Sequence, residues 1–280
     1  MTIEITGLNI YPVKSLRGIT LEQATLTPQG LLHDRRWMVV RANGRFVTQR
    51  DLSRLALVHT RLDDSGVTLS LQAHGSISVP FNTSGGERVK TKVWGDECQA
   101  EDEGEEISRW LTDGLHSSKP LKLVHMLPGF IRPQGKPQEL GAETSTFFAD
   151  AAPFLVTSES SLNELNRELE SRGHASVPMN RFRPNIVVRG LEPFAEHGLP
   201  GLAASNYRLK FCHPCERCIV TTINQDTAET DPDRQPFNTL RDINPVPGQK
   251  PAPAFGQNAT LEKGDQAIIS VGSSIQPIGD

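Results

Sequence analysis

The chain predicts an α+β fold that is mostly β, made of small barrels or sandwiches of short strands with a few peripheral helices. Three observations carry this. Short runs of β-branched and apolar residues recur along the 280 residues, separated by turn signals. The chain holds 20 prolines and 23 glycines, which favour turns over a helix bundle. Helical periodicity is confined to a few segments.

Composition sets the limits. The length admits one large domain or two small ones. Hydrophobic residues make up 36% and charged residues 22%, an ordinary soluble balance. A net charge of -4 predicts neither nucleic acid nor a membrane as partner, so any cation-rich site must be local. No apolar run of about 18 residues is present to span a bilayer, and the N-terminal stretch Met1-Thr2-Ile3-Glu4-Ile5 lacks the marks of a signal peptide. Four cysteines in this length do not make a disulfide framework, so a reducing cytoplasm is the expected home.

The elements follow in order. Residues 3–11 alternate weakly and end in Tyr11-Pro12-Val13-Lys14-Ser15, where Pro12 ends the strand and Lys14 and Ser15 lie on a turn. Arg36 to Arg41 is a strand, Asn43-Gly44 a hairpin turn, and Phe46 to Gln49 the return. Residues 57–62, 67–71, 76–81 and 87–94 are further strands. The acidic run Glu101 to Glu106 opens a helix over 105–116, with Ile107, Trp110, Leu111 and Leu115 on one face. Residues 121–126 form a strand. Residues 127–146 are rich in proline and glycine and contain the domain boundary, dividing the chain into residues 1–130 and 131–280. Arg132, in that loop, is expected at the surface. A strand follows around Phe154-Leu155-Val156, then a helix with Ser158 as N-cap and Leu162, Leu165 and Leu169 on its inner face, stopped at Gly173. In Arg183-Pro184-Asn185, an extended backbone would turn Arg183 and Asn185 to the same side. Residues 206–212 and 218–223 are strands, a helix starts near Asn238, and residues 244–254 form a proline-rich loop. Ala254 to Leu261 and Gln266 to Val271 are the last strands.

The most informative stretch is Phe211-Cys212-His213-Pro214-Cys215-Glu216-Arg217-Cys218, which gathers three of the four cysteines. Arg217 beside Cys218 favours a thiolate, which is both a nucleophile and a ligand for a soft metal. Three readings of the spacing stay open. C-x-x-C-x-x-C can be a zinc or iron–sulfur knuckle, which needs Cys98 as fourth ligand. Alternatively, Cys218 alone is functional, or all three are reduced cysteines buried in a sheet. His213 is expected at the surface.

Arg217-Cys218-Ile219-Val220-Thr221-Thr222-Ile223-Asn224 resembles the R-C-x-x-T-T-(V/I)-(D/N) signature of MOSC-domain proteins, the molybdenum cofactor sulfurase C-terminal family. Pro236 to Arg241 and Phe255-Gly256-Gln257-Asn258 are further matches. So is Asn180-Arg181-Phe182-Arg183-Pro184-Asn185-Ile186-Val187. Tyr11-Pro12-Val13-Lys14-Ser15 and Asp34-Arg35-Arg36-Trp37 resemble the β-barrel domain that precedes MOSC in the mitochondrial amidoxime-reducing component and its bacterial relatives. The resemblance implies an N-terminal β-barrel-like domain followed by a MOSC β-barrel, with the Gly264-Asp265 segment leading into the strand that closes the second barrel.

It implies chemistry as well. Cys218 would be the catalytic residue and ligand to molybdenum. Lys14, Ser15, Arg35, Asp150, Arg183, Asn185, Glu216, Arg217 and Asn258 would contact the molybdenum cofactor (Mo-molybdopterin). The family's residues after Asp150 are often Thr and Ser, whereas Ala151 and Ala152 leave only backbone contacts here. The implied activity is a two-electron reduction of N-hydroxylated compounds such as amidoximes, hydroxylamines and N-oxides. Electrons would come from a separate electron-transfer protein or reductase, because no plant-type iron–sulfur cysteine set follows within the chain. The alternative implied by the family is a molybdenum cofactor or sulfur carrier without turnover.

Overall fold

A computed structural model describes residues 2–81, 83–246 and 252–279. Seven strands close into a barrel. Around it they run Phe154–Ser158, Ile186–Arg189, Ile3–Ile10, Ser274–Pro277, Gly201–Ala203, Arg208–Glu216 and Ala252–Lys263, and the last pairs back onto the first. The pairing of Phe154–Ser158 with Ile186–Arg189 is parallel and the others are antiparallel. A parallel pair needs a crossover, and the helix Glu159–Ser171 lies in it. Its buried Leu165 and Leu169 cluster with Phe182, Leu240 and Phe255 outside the barrel.

The weak alternation at the start of the chain has a physical cause. Ile3 and Ile5 are buried, and so are Leu8 and Ile10, so the inward phase switches from odd to even positions. A register shift between Ile5 and Gly7 makes the switch, because a bulge inserts one residue into a period of two. This strand closes a barrel whose other strands all come from beyond residue 153. The halves interlock a second time where Ile268–Ser270 pairs with Gln23–Thr27. That corrects the expectation for the end of the chain: the segment after Gly264-Asp265 joins a small side sheet, and Ser274–Pro277 closes the barrel.

The rest of the first half is a half-barrel sheet of Trp37–Arg41, Leu121–Met126, Asp96–Asp102 and Arg88–Val93. Beside it stands the meander His59–Asp63, Gly66–Leu71 and Gly75–Pro80. Trp37, Val39, Val67, Leu69, Leu121 and Leu123 form their shared core, covered by Ile107 and Leu111 of the helix Glu105–Gly114. Asp96–Asp102 escapes a reading of the sequence because only Cys98, Ala100 and Glu101 of its seven residues are buried.

Several local expectations are revised. Residues 218–223 are not a strand: Cys218 caps a 3-10 turn over Ile219–Thr222. The return of the Asn43-Gly44 hairpin is reduced to a single bridge, Val40 to Phe46. Ser158 occupies the N-cap, but its hydroxyl meets Ser160 Oγ at 2.7 Å instead of a backbone N–H. Within the expected loop 244–254, Pro245–Val246 pairs with Ala252 and Pro253 of the long strand; residues 247–251 lie outside the described residues.

Candidate functional site

The ten residues singled out from the sequence, Lys14, Ser15, Arg35, Asp150, Arg183, Asn185, Glu216, Arg217, Cys218 and Asn258, line one cavity of about 220 Å³ between the two halves. Six cationic side chains face it, Lys14, Arg35, Arg50, Lys136, Arg183 and Arg217, against the carboxylates of Asp150 and Glu216. A chain with a net charge of -4 has thus built a locally positive hollow.

Its deeper end is held by a dense hydrogen-bonded frame. Asn185 is buried and joins three segments. Its Oδ1 accepts from Leu155 N and from Arg35 Nη1, both at 3.1 Å, and its Nδ2 donates to Asn9 O at 3.2 Å. Arg35 also donates to Arg183 O at 3.3 Å and pairs with buried Asp34. Although burial opposes it, Asp34 raises the Arg35 pKa, so this guanidinium is charged. The guanidinium groups of Arg35 and Arg183 lie over the buried Tyr11 ring, 4.5 and 4.2 Å from its centroid. Burial pushes the Tyr11 phenol up to about 12 despite these cations.

Ser15, Arg35 and Arg183 all adopt left-handed backbone, at φ 68°, 49° and 55°. Such a conformation costs a non-glycine residue on the order of 1 kcal/mol or more and persists where the surroundings over-determine it. Arg183 therefore reaches the cavity from a turn, not from the extended segment expected. No side-chain hydrogen bond of Arg183 occurs among the described residues, and burial pulls its pKa down to about 10. A desolvated, unpaired guanidinium of this kind is matched to an anion.

Lys14 is also buried. It donates to Phe148 O at 2.8 Å and Asp150 Oδ1 at 2.6 Å. Burial lowers its pKa and Asp150 offsets part of that. The Asp150 carboxylate is ringed by protein yet opens onto the hollow, with 66% of its side chain accessible. Enclosure opposes its ionisation, but Lys14 and the indole N–H of Trp94 outweigh this and hold it well below the usual carboxylate range.

The other end carries sulfur. The strand Arg208–Glu216 shifts register between Phe211 and His213 and again between Pro214 and Glu216. Such bulges re-aim side chains at the rims of barrels. The chain then turns at Cys218. Thr221 donates to Cys218 O through both N and Oγ1, at 3.2 and 3.0 Å, and Thr222 Oγ1 donates to Ile219 O at 2.7 Å. The two threonines thus hold the turn that leaves Cys218 exposed. Gly256 lets the neighbouring strand approach: its φ is 77°, and a Cβ there would meet Val156 O at 2.7 Å.

The partner of Cys218 differs from the one expected. Arg217 turns away from it, donating to Cys215 Sγ at 2.9 Å and Phe182 O at 2.7 Å, while its Nε is buried without a partner. The cation at Cys218 is Arg50, whose Nη1 lies 3.4 Å from Sγ. Arg50 is brought there by its neighbour Gln49, which exchanges two amide hydrogen bonds with Gln225 at 3.0 and 2.9 Å and donates to Ser15 O at 2.9 Å. His213 is no surface residue: it lines the cavity, with Nε2 3.2 Å from Glu139. Arg132 is likewise buried, bonded to Asp96 and to Ala149 O, and so fixes the segment that leads to Asp150. Cys98 is buried in the core beside Met38, Val40 and Ala100 and does not line the cavity. Among the described residues no cluster of three or more His, Cys, Asp or Glu is placed to hold a metal, which removes the support for a knuckle.

Comparison with known proteins identifies two domain families in the chain. Residues 2–118 match the MOSC N-terminal beta barrel domain and residues 143–276 the MOSC domain. Human mitochondrial amidoxime-reducing component 1 is 34% identical over 98% of this chain and 83% of its own length. The mouse protein of the same name is 32% identical over 98% and 82%. Molybdenum cofactor sulfurase of Danio rerio is 30% identical over 98% of this chain but only 34% of its own length.

Proposed function

Because the chain belongs to the MOSC-domain family of the mitochondrial amidoxime-reducing components, we propose that it binds the molybdenum cofactor and reduces N-hydroxylated compounds. The observation that carries this is the convergence of six cations and the exposed Cys218 on one hollow. The donor set fits the group. Arg183 lacks a side-chain hydrogen bond among the described residues, Arg217 Nε is buried without a partner, and both suit a phosphate tail or a pterin edge. Cys218 offers a soft sulfur to a soft metal. When bound, the cofactor supplies the two electrons for the reaction. The N–O bond is cleaved, two protons are taken up, and the products are the N–H compound and water. A separate electron-transfer protein or reductase returns the electrons.

The chain's own residues bind and orient. Lys14, Ser15, Arg35, Arg183 and Asn185 would hold the anionic tail, and Asp150, Glu216, Arg217 and Asn258 would border the remainder. Cys218 would hold the metal through its sulfur. Among the described residues no helix is long and apolar enough to cross a membrane. All four cysteines are free, in keeping with a reducing compartment. The cytoplasm is the compartment we propose, although the relatives' names are mitochondrial.

A second reading is a cofactor or sulfur carrier. It is favoured by Cys215, which lines the same cavity as Cys218 with Arg217 beside its sulfur. The deciding experiment supplies protein made with the cofactor with an artificial electron donor and benzamidoxime. Stoichiometric molybdenum with benzamidine formation supports the reductase. Metal-free protein with labile sulfur on Cys218 and no turnover would replace it with the carrier.

A further inference from the structure

Trp94 is an unusual side chain. It is 56% exposed, the most accessible of the aromatic residues, and it sits at the tip of the turn joining Arg88–Val93 to Asp96–Asp102. An exposed tryptophan at a turn is normally free to move, but this one is held on three sides. Its Nε1 donates to Asp150 Oδ1 at 3.0 Å. Phe46 meets it edge-on at 5.8 Å. The Arg50 guanidinium lies over its ring at 4.7 Å. Its φ of 56° is the one a two-residue hairpin loop between paired Val93 and Asp96 calls for. Three anchors on an exposed aromatic ring point to a use beyond the turn itself.

Arg50 supplies the direction. No carboxylate lies within ion-pair distance of it among the described residues; its contacts are the Trp94 ring on one side and Cys218 Sγ on the other. One planar cation, itself lining the cavity with Cys218, thus links the exposed sulfur to the indole just outside that lining. Ile219, 42% exposed, adds an apolar edge next to Cys218.

Building on the reductase reading, we propose that Trp94 and Arg50 form the wall that reads the substrate. The accessible indole surface carries a flat, π-bearing portion of the substrate. Arg50, kept flat by the same ring, donates a hydrogen bond to the substrate oxygen and keeps cationic substrates away from the sulfur. Aromatic surfaces gain from such stacking beyond the area they bury. A fixed guanidinium on the ring keeps its donors pre-organised.

The test uses cofactor-loaded protein, held oxidised, and calorimetric titration with two neutral oximes, benzamidoxime and acetamidoxime. The wild type should bind the aryl compound about tenfold more tightly, a difference of about 1.4 kcal/mol. Trp94→Ala should abolish that ratio by weakening benzamidoxime more than acetamidoxime, and Trp94→Phe should keep most of it. Arg50→Met should weaken both oximes alike, by about three- to tenfold. An unchanged ratio in Trp94→Ala, or equal weakening of both oximes there, overturns the proposal, since the second result marks a general collapse around Asp150. Unaltered affinities in Arg50→Met overturn the role of Arg50. Binding without any turnover by the wild type would sink the reductase reading and leave the wall standing. Turnover with an unaltered aryl preference in Trp94→Ala would do the reverse.

Discussion

The two ends of the cavity are built on opposite principles. At the Asn185 end most groups are tied: one side chain joins three chain segments, two arginines contact one phenol ring, and three residues hold left-handed backbone. At the Cys218 end, a 3-10 turn presents an exposed sulfur touched by one guanidinium. The difference teaches where rigidity belongs. A tightly bound, non-reacting tail benefits from a frame formed in advance, since ordering it on binding would cost affinity. A reacting end has to admit substrates and release products, so it is kept open.

This contrast can be broken by separating stability from metal retention. The largest expected effect is at the open end. Cys218→Ala should lose molybdenum and at least 100-fold in reductase turnover, while the cofactor-free protein keeps its denaturation midpoint, because exposed substitutions usually change stability by no more than about 0.5 kcal/mol. Molybdenum retained at wild-type stoichiometry would remove Cys218 from the site. The mirror case is Asn185→Ala. It strands Leu155 N and Arg35, so urea denaturation of the cofactor-free protein should show a loss of about 2–3 kcal/mol. A neutral result there would deny that the frame is structural.

Arg183→Ala lies between the two. Molybdenum occupancy should fall several-fold as a charge-assisted contact is lost. Yet cofactor-free stability should hold within about 1 kcal/mol or rise, because the guanidinium it removes is desolvated and unpaired. A large destabilisation would make Arg183 part of the structural frame and not a group held ready for the ligand.

A smaller effect concerns pH. The folded-state pKa of Asp150 is depressed, so its pairing with Lys14 contributes stability above the ordinary carboxylate pKa and loses it as pH falls below that value. The group is 66% accessible, which limits the contribution to under about 1 kcal/mol after solvent screening. Asp150→Asn should therefore show a shallower loss of stability between about pH 4 and pH 2, read by thermal melts across that range; an unaltered slope would count against the pairing. Smallest of all, Cys98→Ser should leave molybdenum content unchanged, and metal loss on that substitution would revive the knuckle.

What could be read in advance was chemistry carried by adjacent residues. Lys14-Ser15, Arg183-Pro184-Asn185 and Arg217-Cys218 each put an unusual pair in a short motif, and all of them face the cavity. What escaped was made by the tertiary fold. Arg50 meets Cys218 only because Gln49 and Gln225 clasp across the two halves. Arg217 stands next to Cys218 in sequence but serves Cys215, since the bulged strand re-aims its side chains. Arg132 sits in a loop of prolines and glycines, and nothing local announces that Asp96 and Ala149 will bury it. Phe154–Ser158, Arg208–Glu216 and Ala252–Lys263 were legible by their apolar runs, whereas the short barrel strands Gly201–Ala203 and Ser274–Pro277 were not read, Asp96–Asp102 was hidden by its acidic residues, and the weak pattern over Ile3–Ile10 concealed a bulge.

The pairing of Ile3 with Ile275 sets an order on folding. The strand Ile3–Ile10 finds Ile19–Leu21 close by, but its barrel neighbours are Ile186–Arg189 and Ser274–Pro277, and contacts this distant in sequence form slowly. Until they form, Lys14 and Cys218 sit on unjoined pieces of the polypeptide. A ligand that both must grip can be held only once the two halves have come together.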